Sequence, residues 1–229
     1  MERPSQIPEP VLMCWSGGKD SSLALAAALK DSSLKIAALL TTVTEGYERI
    51  SMHGVRLTLL ERQAQALRLP LEQVRIPMRA SNEIYEEAMR GLLIRYQKQG
   101  VSRVIFGDLF LEQIRSYREK NLAKIGMKGI YPLWLQDTRQ LAHHFIEAGF
   151  HAILVCIDPK QLDPSFCGRE FDRSLLEQLP PGADPCGENG EFHTFVYAGP
   201  VFQQRIPIQR GPIVQREGFW FCDLEPLEP

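Results

Sequence analysis

The stretch from Val11 to Leu29 constrains the fold of this chain more than any other. Its apolar start, Val11 to Trp15, predicts a buried strand, and the Ala/Leu-rich residues from Ser22 to Lys30 predict a helix. Residues 16–21, SGGKDS, join the two through a glycine turn. A strand, a tight turn and a helix form the first part of a βαβ unit, so the stretch predicts an α/β fold with a parallel sheet.

The same turn predicts an anion site. A helix N-terminus presents unpaired N–H groups and the positive end of the helix dipole, and two glycines allow a phosphate to approach the backbone. Lys19 adds a charge, and Asp20 is suited to hold a magnesium ion beside bound phosphates. A plain helix cap would need neither both glycines nor the lysine, so the phosphate site is favoured. The residues assigned to it are Ser16, Gly17, Gly18, Lys19, Asp20 and Ser21.

Composition and charge argue against several classes of protein. A net charge of −2 disfavours a broad basic surface for nucleic acid, and no apolar run reaches the roughly 20 residues that span a bilayer. Residues 1–10 are polar and proline-rich, which predicts a flexible arm without a signal peptide and favours a cytoplasmic enzyme. The five cysteines include no C-x-x-C pair, so neither a zinc site nor a dithiol redox site is indicated.

A second strand and its loop are expected beside the anion site. The run Leu34 to Thr42 predicts a buried strand, parallel to the first. The polar segment 43–54 follows at the carboxyl end of that strand, where open parallel sheets bind ligands. Thr41 and His53 are therefore candidates to contact a nucleotide, although a loop or capping role fits His53 equally well.

Residues 107–119 carry a second signal. The apolar run 101–110 predicts a strand, which places Gly107 at the sheet edge where residues 16–21 are expected. Arg115 and Glu119 follow on a predicted helix, one turn apart on the same face. Such a charge-rich helix is as often a solvated face as a functional site, so a simple ion pair is an equal alternative.

A third signal lies in residues 184–197, where acidic side chains alternate with glycines before a predicted strand. Glu188 and Glu191 share this turn with Asn189 and His193. The set is suited to bind a magnesium ion, an amine or ammonia, or the polar end of a substrate. An exposed hairpin turn is the simpler alternative.

Further elements complete the predicted organisation. Helices are expected over 55–69, 81–100 and 137–147, and strands over 71–76 and 151–157. Residues 201–224 alternate as antiparallel strands do, with turns at Gly211–Pro212 and Glu217–Gly218.

Together the three signals resemble the diphthine–ammonia ligase family of N-type ATP pyrophosphatases. SGGKDS at 16–21 is similar to the pyrophosphate loop of that superfamily, and GENGEFHT at 187–194 narrows the resemblance to the family. The resemblance implies a parallel sheet with helices on both faces, Rossmann-like and similar to adenine nucleotide α-hydrolases, plus a smaller α+β C-terminal region. We expect an ATP pyrophosphatase domain over 11–130 and a substrate-binding region over 131–229.

The resemblance also implies an ATP-dependent amide ligase. Such enzymes convert a carboxylate into an acyl adenylate with release of pyrophosphate, and ammonia then displaces AMP. The implied cofactors are ATP and Mg²⁺, with Asp20 as the metal ligand, and the implied acceptor is diphthine on elongation factor 2. Carried over to this sequence, Gly107 would contact the nucleotide, and Gly190 and Thr194 would lie near the substrate. The implied catalytic residues are Lys19, Asp20, Arg115, Glu119, Glu188 and Glu191.

Three points leave the acceptor open. Residues 130–186 look closer to the bacterial branch of the family, and Gln113 stands where members usually have an aromatic residue. Bacteria generally lack diphthamide, so a bacterial member would need another carboxylate.

The alternatives to an amide ligase are a tRNA-modifying pyrophosphatase, which the missing cysteine pair disfavours, and a nucleotide sensor, which would not need both Lys19 and Asp20. The exposed C-terminal strands also offer an edge for a homodimer.

Overall fold

The computed structural model describes residues 7–50 and 53–228 of the 229-residue chain. Helices and strands alternate through its first half, and strands dominate its C-terminal end. The strands are β1 (Glu9–Cys14), β2 (Leu34–Thr44), β3 (Arg49–Ile50), β4 (Leu71–Ile76), β5 (Arg103–Ile105), β6 (Lys128–Ile130), β7 (His151–Ile157), β8 (Phe192–Ala198), β9 (Ile208–Arg216) and β10 (Phe219–Pro226). The helices are α1 (Lys19–Leu29), α2 (Leu57–Leu67), α3 (Asn82–Gln97), α4 (Glu112–Ala123), α5 (Thr138–Glu147) and α6 (Arg173–Gln178), and Pro164–Phe166 forms a 3₁₀ turn.

The larger sheet is mostly parallel and has β1 at its centre. Its strand order is β3-β2-β1-β5-β6, with β4 also paired to β2. The chain moves outward from β1 through β2 to β4 and then returns to place β5 on the other side of β1. This reversal opens a crevice between the carboxyl ends of β1 and β5, where ligands bind in open parallel sheets. The predicted α/β class is confirmed.

Helices cover both faces of this sheet, as predicted. Val11 and Met13 point into a core that includes residues of α1 and α2, whereas Leu12 points into a second core with residues of α3 and α4. All three side chains are 0% exposed. Burial on both faces explains why β1 is an uninterrupted apolar run and not an alternating one.

The smaller sheet is antiparallel, in the order β8-β7-β10-β9. The turn predicted at Glu217–Gly218 is confirmed, since both residues have positive φ and connect β9 to β10. The turn predicted at Gly211–Pro212 is wrong, because both residues lie inside β9 opposite a register shift near Asp223. β9 is an edge strand, where a bulge and a proline are tolerated.

Several element boundaries differ from those predicted. Residues 1–6 of the predicted arm lie outside the described residues, whereas Glu9 and Pro10 belong to β1. The strand predicted over 101–110 covers only β5, because the chain leaves the sheet before Gly107. Ser81 caps α3 and Asp137 caps α5. Among residues 7–50 and 53–228, no helix combines the length and apolar content that crossing a bilayer requires.

Candidate functional site

Residues 16–18 lie in the connection between β1 and α1, and residues 19–21 form the first turn of α1; we call residues 16–21 the phosphate loop. Gly17 has φ +79°, a left-handed conformation that favours glycine. Gly18 is extended and occupies the N-cap of α1, where it contributes no side chain. The first turn of α1 therefore presents backbone N–H groups and the positive end of the helix dipole, both of which favour anions.

At Gly107 and Gly18 the neighbouring backbone approaches so closely that an added side chain would force it to shift. A Cβ at Gly107 would be 2.9 Å from the carbonyl carbon of Asp20 and 3.0 Å from the backbone nitrogen of Ser21. A Cβ at Gly18 would be 3.0 Å from the carbonyl oxygen of Thr194. The loops after β1 and β5 are thus in contact at the crevice, as their predicted positions at one sheet edge require.

Lys19 and Asp20 form a close pair at the start of α1. The Lys19 side chain is 3% exposed, and its Nζ lies 2.8 Å from each carboxylate oxygen of Asp20 and also donates to the carbonyl of Cys186. Burial is the largest single influence and opposes the charge on Lys19, but Asp20 and the weaker contributions of Cys186 and Glu188 together outweigh it and raise the pKa of the lysine. Lys19 is therefore a fixed cation beside the phosphate loop.

Strand β8 of the smaller sheet docks directly on the phosphate loop. The hydroxyl of Thr194 accepts a hydrogen bond from the backbone N–H of Lys19 at 3.0 Å, and the N–H of Val196 donates to the carbonyl of Gly17 at 2.9 Å. Thr194 is 3% exposed. The C-terminal region thereby shapes the loop through contacts with its backbone.

Two histidines stack beside the loop. The ring centroids of His53 and His193 are 4.5 Å apart, and His53 lies against Gly18. Burial lowers the pKa of His193 to about 4, and burial together with His193 holds the pKa of His53 well below its usual value. Both rings are therefore neutral at pH 7. Among the described residues, the buried His53 Nδ1 finds no hydrogen-bond partner.

Glu188 and Glu191 occupy different environments within the turn before β8. Oε1 of Glu188 accepts from the N–H of Leu109 at 2.9 Å, which joins this turn to the loop after β5. Burial raises the pKa of Glu188 to about 7. Glu191 is 1% exposed, and its carboxylate accepts from the N–H of Asp184 at 2.8 Å and from the backbone and side chain of Asn189 at 3.0 and 3.1 Å. Its contacts hold the turn together.

Two family models cover most of the chain. The diphthamide synthase N-terminal domain matches residues 10–129, and the diphthamide synthase C-terminal domain matches residues 137–226. The chain belongs to the diphthamide synthase family. It is an enzyme of the ligase class in that family, in agreement with the resemblance of its three motifs.

The curated relatives of this diphthamide synthase family member are distant. A mouse protein is 22% identical over 196 residues, which are 78% of this chain and 70% of that protein. A human protein is 23% identical and covers 73% of this chain and 67% of its own length. A Schizosaccharomyces pombe protein is 28% identical over 47% of this chain, but only 19% of that protein is covered. All three are named diphthine–ammonia ligase.

In this diphthamide synthase family member, Arg115 and Glu119 stand apart from the contacts just described. Both lie on α4, where they pair with each other at 3.2 Å and are 36% and 48% exposed. The guanidinium of Arg115 lies over the rings of Tyr131 and Trp134, 4.7 and 4.6 Å from their centroids. Thr41 is 3% exposed inside β2. The nucleotide role of Thr41 and the catalytic roles of Arg115 and Glu119 stay predictions.

Sequence reasoning missed several residues that build the site. Arg118 pairs with Asp108, at 2.8 Å, next to Gly107. Asp108 directly follows the predicted glycine, so its position was a usable signal. Asp184 accepts from the N–H groups of Cys186 and Glu188, and Gln63 contacts the phosphate loop. Neither residue has a sequence pattern that distinguishes it from an ordinary turn or helix-surface residue.

Proposed function

We propose that this protein is an ATP-dependent amide ligase that adenylates a carboxylate, releases pyrophosphate and transfers ammonia to the acyl adenylate. The observation that supports the proposal is the meeting of the three motifs at one crevice. Gly107 packs against Asp20, and Glu188 accepts a hydrogen bond from Leu109. Anion-binding backbone, a buried cation and a carboxylate with a pKa of about 7 therefore share one site.

The phosphates of ATP fit the phosphate loop. The N-terminus of α1 and Lys19 supply positive potential where charge develops on the departing pyrophosphate. Fixed donors of this kind stabilise the transition state without reorganising during the reaction.

A magnesium ion fits the same place as a companion of ATP. Among the described residues, no group of three or more His, Cys, Asp or Glu side chains is arranged to hold a metal alone. Mg²⁺ commonly takes one or two protein carboxylates and completes its shell with phosphate oxygens and water. Asp20, 29% exposed at the loop, would supply such a carboxylate. When bound, the metal would neutralise phosphate charge.

The adenosine part of ATP is assigned to a cavity next to the loop. This cavity, about 350 Å³ in volume, lies between α3 and α4, with Cys14, Leu40 and Phe106 in its lining. Cys14 lies two residues before the phosphate loop, and Phe106 directly precedes Gly107. The cavity is therefore next to the place proposed for the phosphates. The apolar part of its lining suits a flat aromatic base, and its lining also includes six charged residues, Glu83, Glu86, Glu87, Arg90, Arg118 and Lys124.

Glu188 is assigned as the base of the second half-reaction. Ammonium first loses one proton to solvent, which leaves ammonia with a free electron pair. As ammonia attacks the carbonyl carbon of the acyl adenylate, the C–N bond forms, the C–O bond breaks with its electron pair leaving on AMP, and Glu188 takes the second proton from the nitrogen. A carboxylate whose pKa is about 7 is better matched to this transfer near neutral pH than an ordinary glutamate.

The acceptor carboxylate is proposed from the names of the relatives and is identified by experiment. The relatives' name makes a diphthine-bearing protein the first acceptor to test, and other carboxylates follow from the bacterial-like segment 130–186. The experiment measures AMP and pyrophosphate formed from ATP with Mg²⁺, ammonium and a panel of carboxylates. Release that depends on Lys19 and on one acceptor supports the proposal. Release of ADP and phosphate, with no AMP, contradicts it.

A further inference from the structure

Gln63 is a buried residue to which no role has yet been assigned. It lies in α2, is 0% exposed, and uses both ends of its amide. Oε1 accepts from the indole N–H of Trp15 at 2.8 Å, and Nε2 donates to the carbonyls of Gly17 at 3.0 Å and Val196 at 2.6 Å. Glutamine is rarely fully buried, and here its amide connects the end of β1, the phosphate loop and β8.

The carbonyl oxygen of Gly17 accepts two hydrogen bonds. One comes from Gln63 Nε2 and the other from the N–H of Val196, at 2.9 Å. Since a trans peptide is planar, its carbonyl and its N–H point in opposite directions. Anchoring the carbonyl of Gly17 therefore turns the N–H of Gly18 the other way, where it donates to the hydroxyl of Ser16 at 3.3 Å.

The opposite peptide orientation would be harmful to an anion site. Glycines on both sides of the peptide make its rotation sterically easy, because neither has a Cβ. A rotated peptide would present the carbonyl oxygen of Gly17, a partial negative charge, to a bound phosphate. The space beside Gly17 is also filled, since a Cβ there would be 2.7 Å from Oε1 of Gln63.

We propose that Gln63 is a positioning residue for the ATP phosphates: it locks the Gly17–Gly18 peptide so that the N–H of Gly18 faces the anion. The inference rests on the proposed ATP site. A residue that only supported packing would change the free energy of unfolding and leave the affinity for ATP in the folded protein unaltered.

The test compares glutamine-to-methionine changes at two positions in the full chain. Gln63→Met keeps a similar volume and helix preference but removes all three hydrogen bonds. Gln73→Met is the matched control, since it removes two side-chain bonds, one donated to Glu61 at 3.2 Å and one accepted from Arg75 at 3.3 Å, and does not touch the loop. Trp15→Phe removes the indole donor and leaves both carbonyl bonds of Gln63 in place.

Affinity for Mg·ATP and for Mg·pyrophosphate is measured by titration calorimetry at 20 °C, with folding checked by circular dichroism. We expect Gln63→Met to weaken both by about tenfold or more, and the two other variants to change them by less than about twofold. Wild-type affinity in folded Gln63→Met overturns the proposal, as does an equal loss in Gln73→Met.

Misfolding of Gln63→Met and failure of the proposed ligase function are each distinguished from failure of the Gln63 proposal. If Gln63→Met does not fold, Gln63→Glu decides in the same assay, since it keeps the shape and the acceptor for Trp15 but cannot donate to both carbonyls. We again expect the affinities for Mg·ATP and Mg·pyrophosphate to fall by about tenfold or more, and wild-type affinity in the folded variant again overturns the proposal. If the wild-type protein binds ATP yet forms no AMP with any acceptor, the proposed ligase function fails while the test of Gln63 stands.

Discussion

The phosphate loop and the Arg115–Glu119 pair are both rich in charge, yet they are built in different ways. The loop is held by partners from distant parts of the chain, including Gln63 and Thr194. Arg115 and Glu119 hold each other across one helical turn and are 36% and 48% exposed. One region is fixed by the fold, and the other is fixed by its own helix and two aromatic rings.

The difference indicates which partner each region is suited to meet. A site whose donors are already fixed loses little conformational entropy when a small anion binds, so the phosphate loop is suited to ATP. An exposed arginine stacked on aromatic rings retains donors for a carboxylate on a larger partner. We therefore expect changes in the loop to affect ATP chemistry, and changes at Arg115 and Glu119 to affect the acceptor.

The largest effect is expected from Lys19→Ala. Removing a buried cation from the developing charge on pyrophosphate should lower the rate of AMP formation by on the order of a thousandfold. The measurement is AMP release at saturating ATP and acceptor, with folding confirmed by circular dichroism. A loss of less than about tenfold in a folded variant would place the phosphates elsewhere.

Glu188→Gln should have the next largest effect, on the order of a hundredfold, and the effect should depend on pH. The wild-type rate of ammonia transfer should rise as pH passes the Glu188 pKa of about 7, since only the carboxylate accepts a proton. The variant should lose this rise. Rates are measured at constant free ammonia from pH 6 to 8.5, and an unchanged profile in the variant would remove Glu188 from the role of base.

The stability of the same variant provides an independent check. The raised pKa means that the folded state binds the Glu188 proton more tightly than the unfolded state, whose glutamate titrates near 4.5. The stabilisation of the folded state by protonated Glu188 is full below pH 4.5 and is lost as pH rises through about 7. Glutamine carries no such proton, so the stability of Glu188→Gln relative to the wild type should increase between pH 4 and pH 8. The measurement is the melting temperature of both proteins at the two pH values.

Arg115→Lys should have a smaller effect, confined to the acceptor. Lysine keeps the charge but cannot stack flat on Tyr131 and Trp134. We expect the KM for the acceptor to rise by about tenfold while the KM for ATP stays within about twofold. An equal rise in both KM values would show that the phosphate loop and the Arg115–Glu119 pair do not serve different substrates.

Glu119→Gln should have the smallest effect on stability. Exposed ion pairs one helical turn apart contribute only about 0.3–0.5 kcal/mol. Chemical denaturation should therefore give a free energy of unfolding within about 0.5 kcal/mol of the wild type. Glu191→Gln is the matched comparison, because its carboxylate is buried among three hydrogen bonds and its loss should cost on the order of 2 kcal/mol.

The parts of the site that are local in sequence could be predicted, and the parts that depend on packing could not. SGGKDS specifies its own turn, because glycines and a helix start lie within six residues. Gln63 sits on an amphipathic helix, where a lone polar residue ordinarily faces solvent. Its burial follows from the docking of β8, which no local pattern encodes.

The fold shows the same division. The apolar run of β1 predicted a strand buried on both faces, because alternation is lost where helices cover both sides. The run 101–110 predicted too long a strand, since Leu109 is 0% exposed in a loop and not in the sheet. Gly211 and Pro212 suggested a turn, but they lie within β9, an edge strand, where a glycine and a proline can be accommodated without ending the strand.

The hydrogen bond from Lys19 to Thr194 joins residues 175 positions apart. Protein synthesis proceeds from the N-terminus, so β1, the phosphate loop and α1 leave the ribosome long before β8 exists. Contacts across such a separation also form late, because a long loop must close first. A nascent or truncated chain that ends before Phe192 therefore carries the whole SGGKDS sequence and Gln63 but lacks the anchors from β8, Thr194 and Val196. We expect competence to consume ATP to arrive only after β8 has been made and docked.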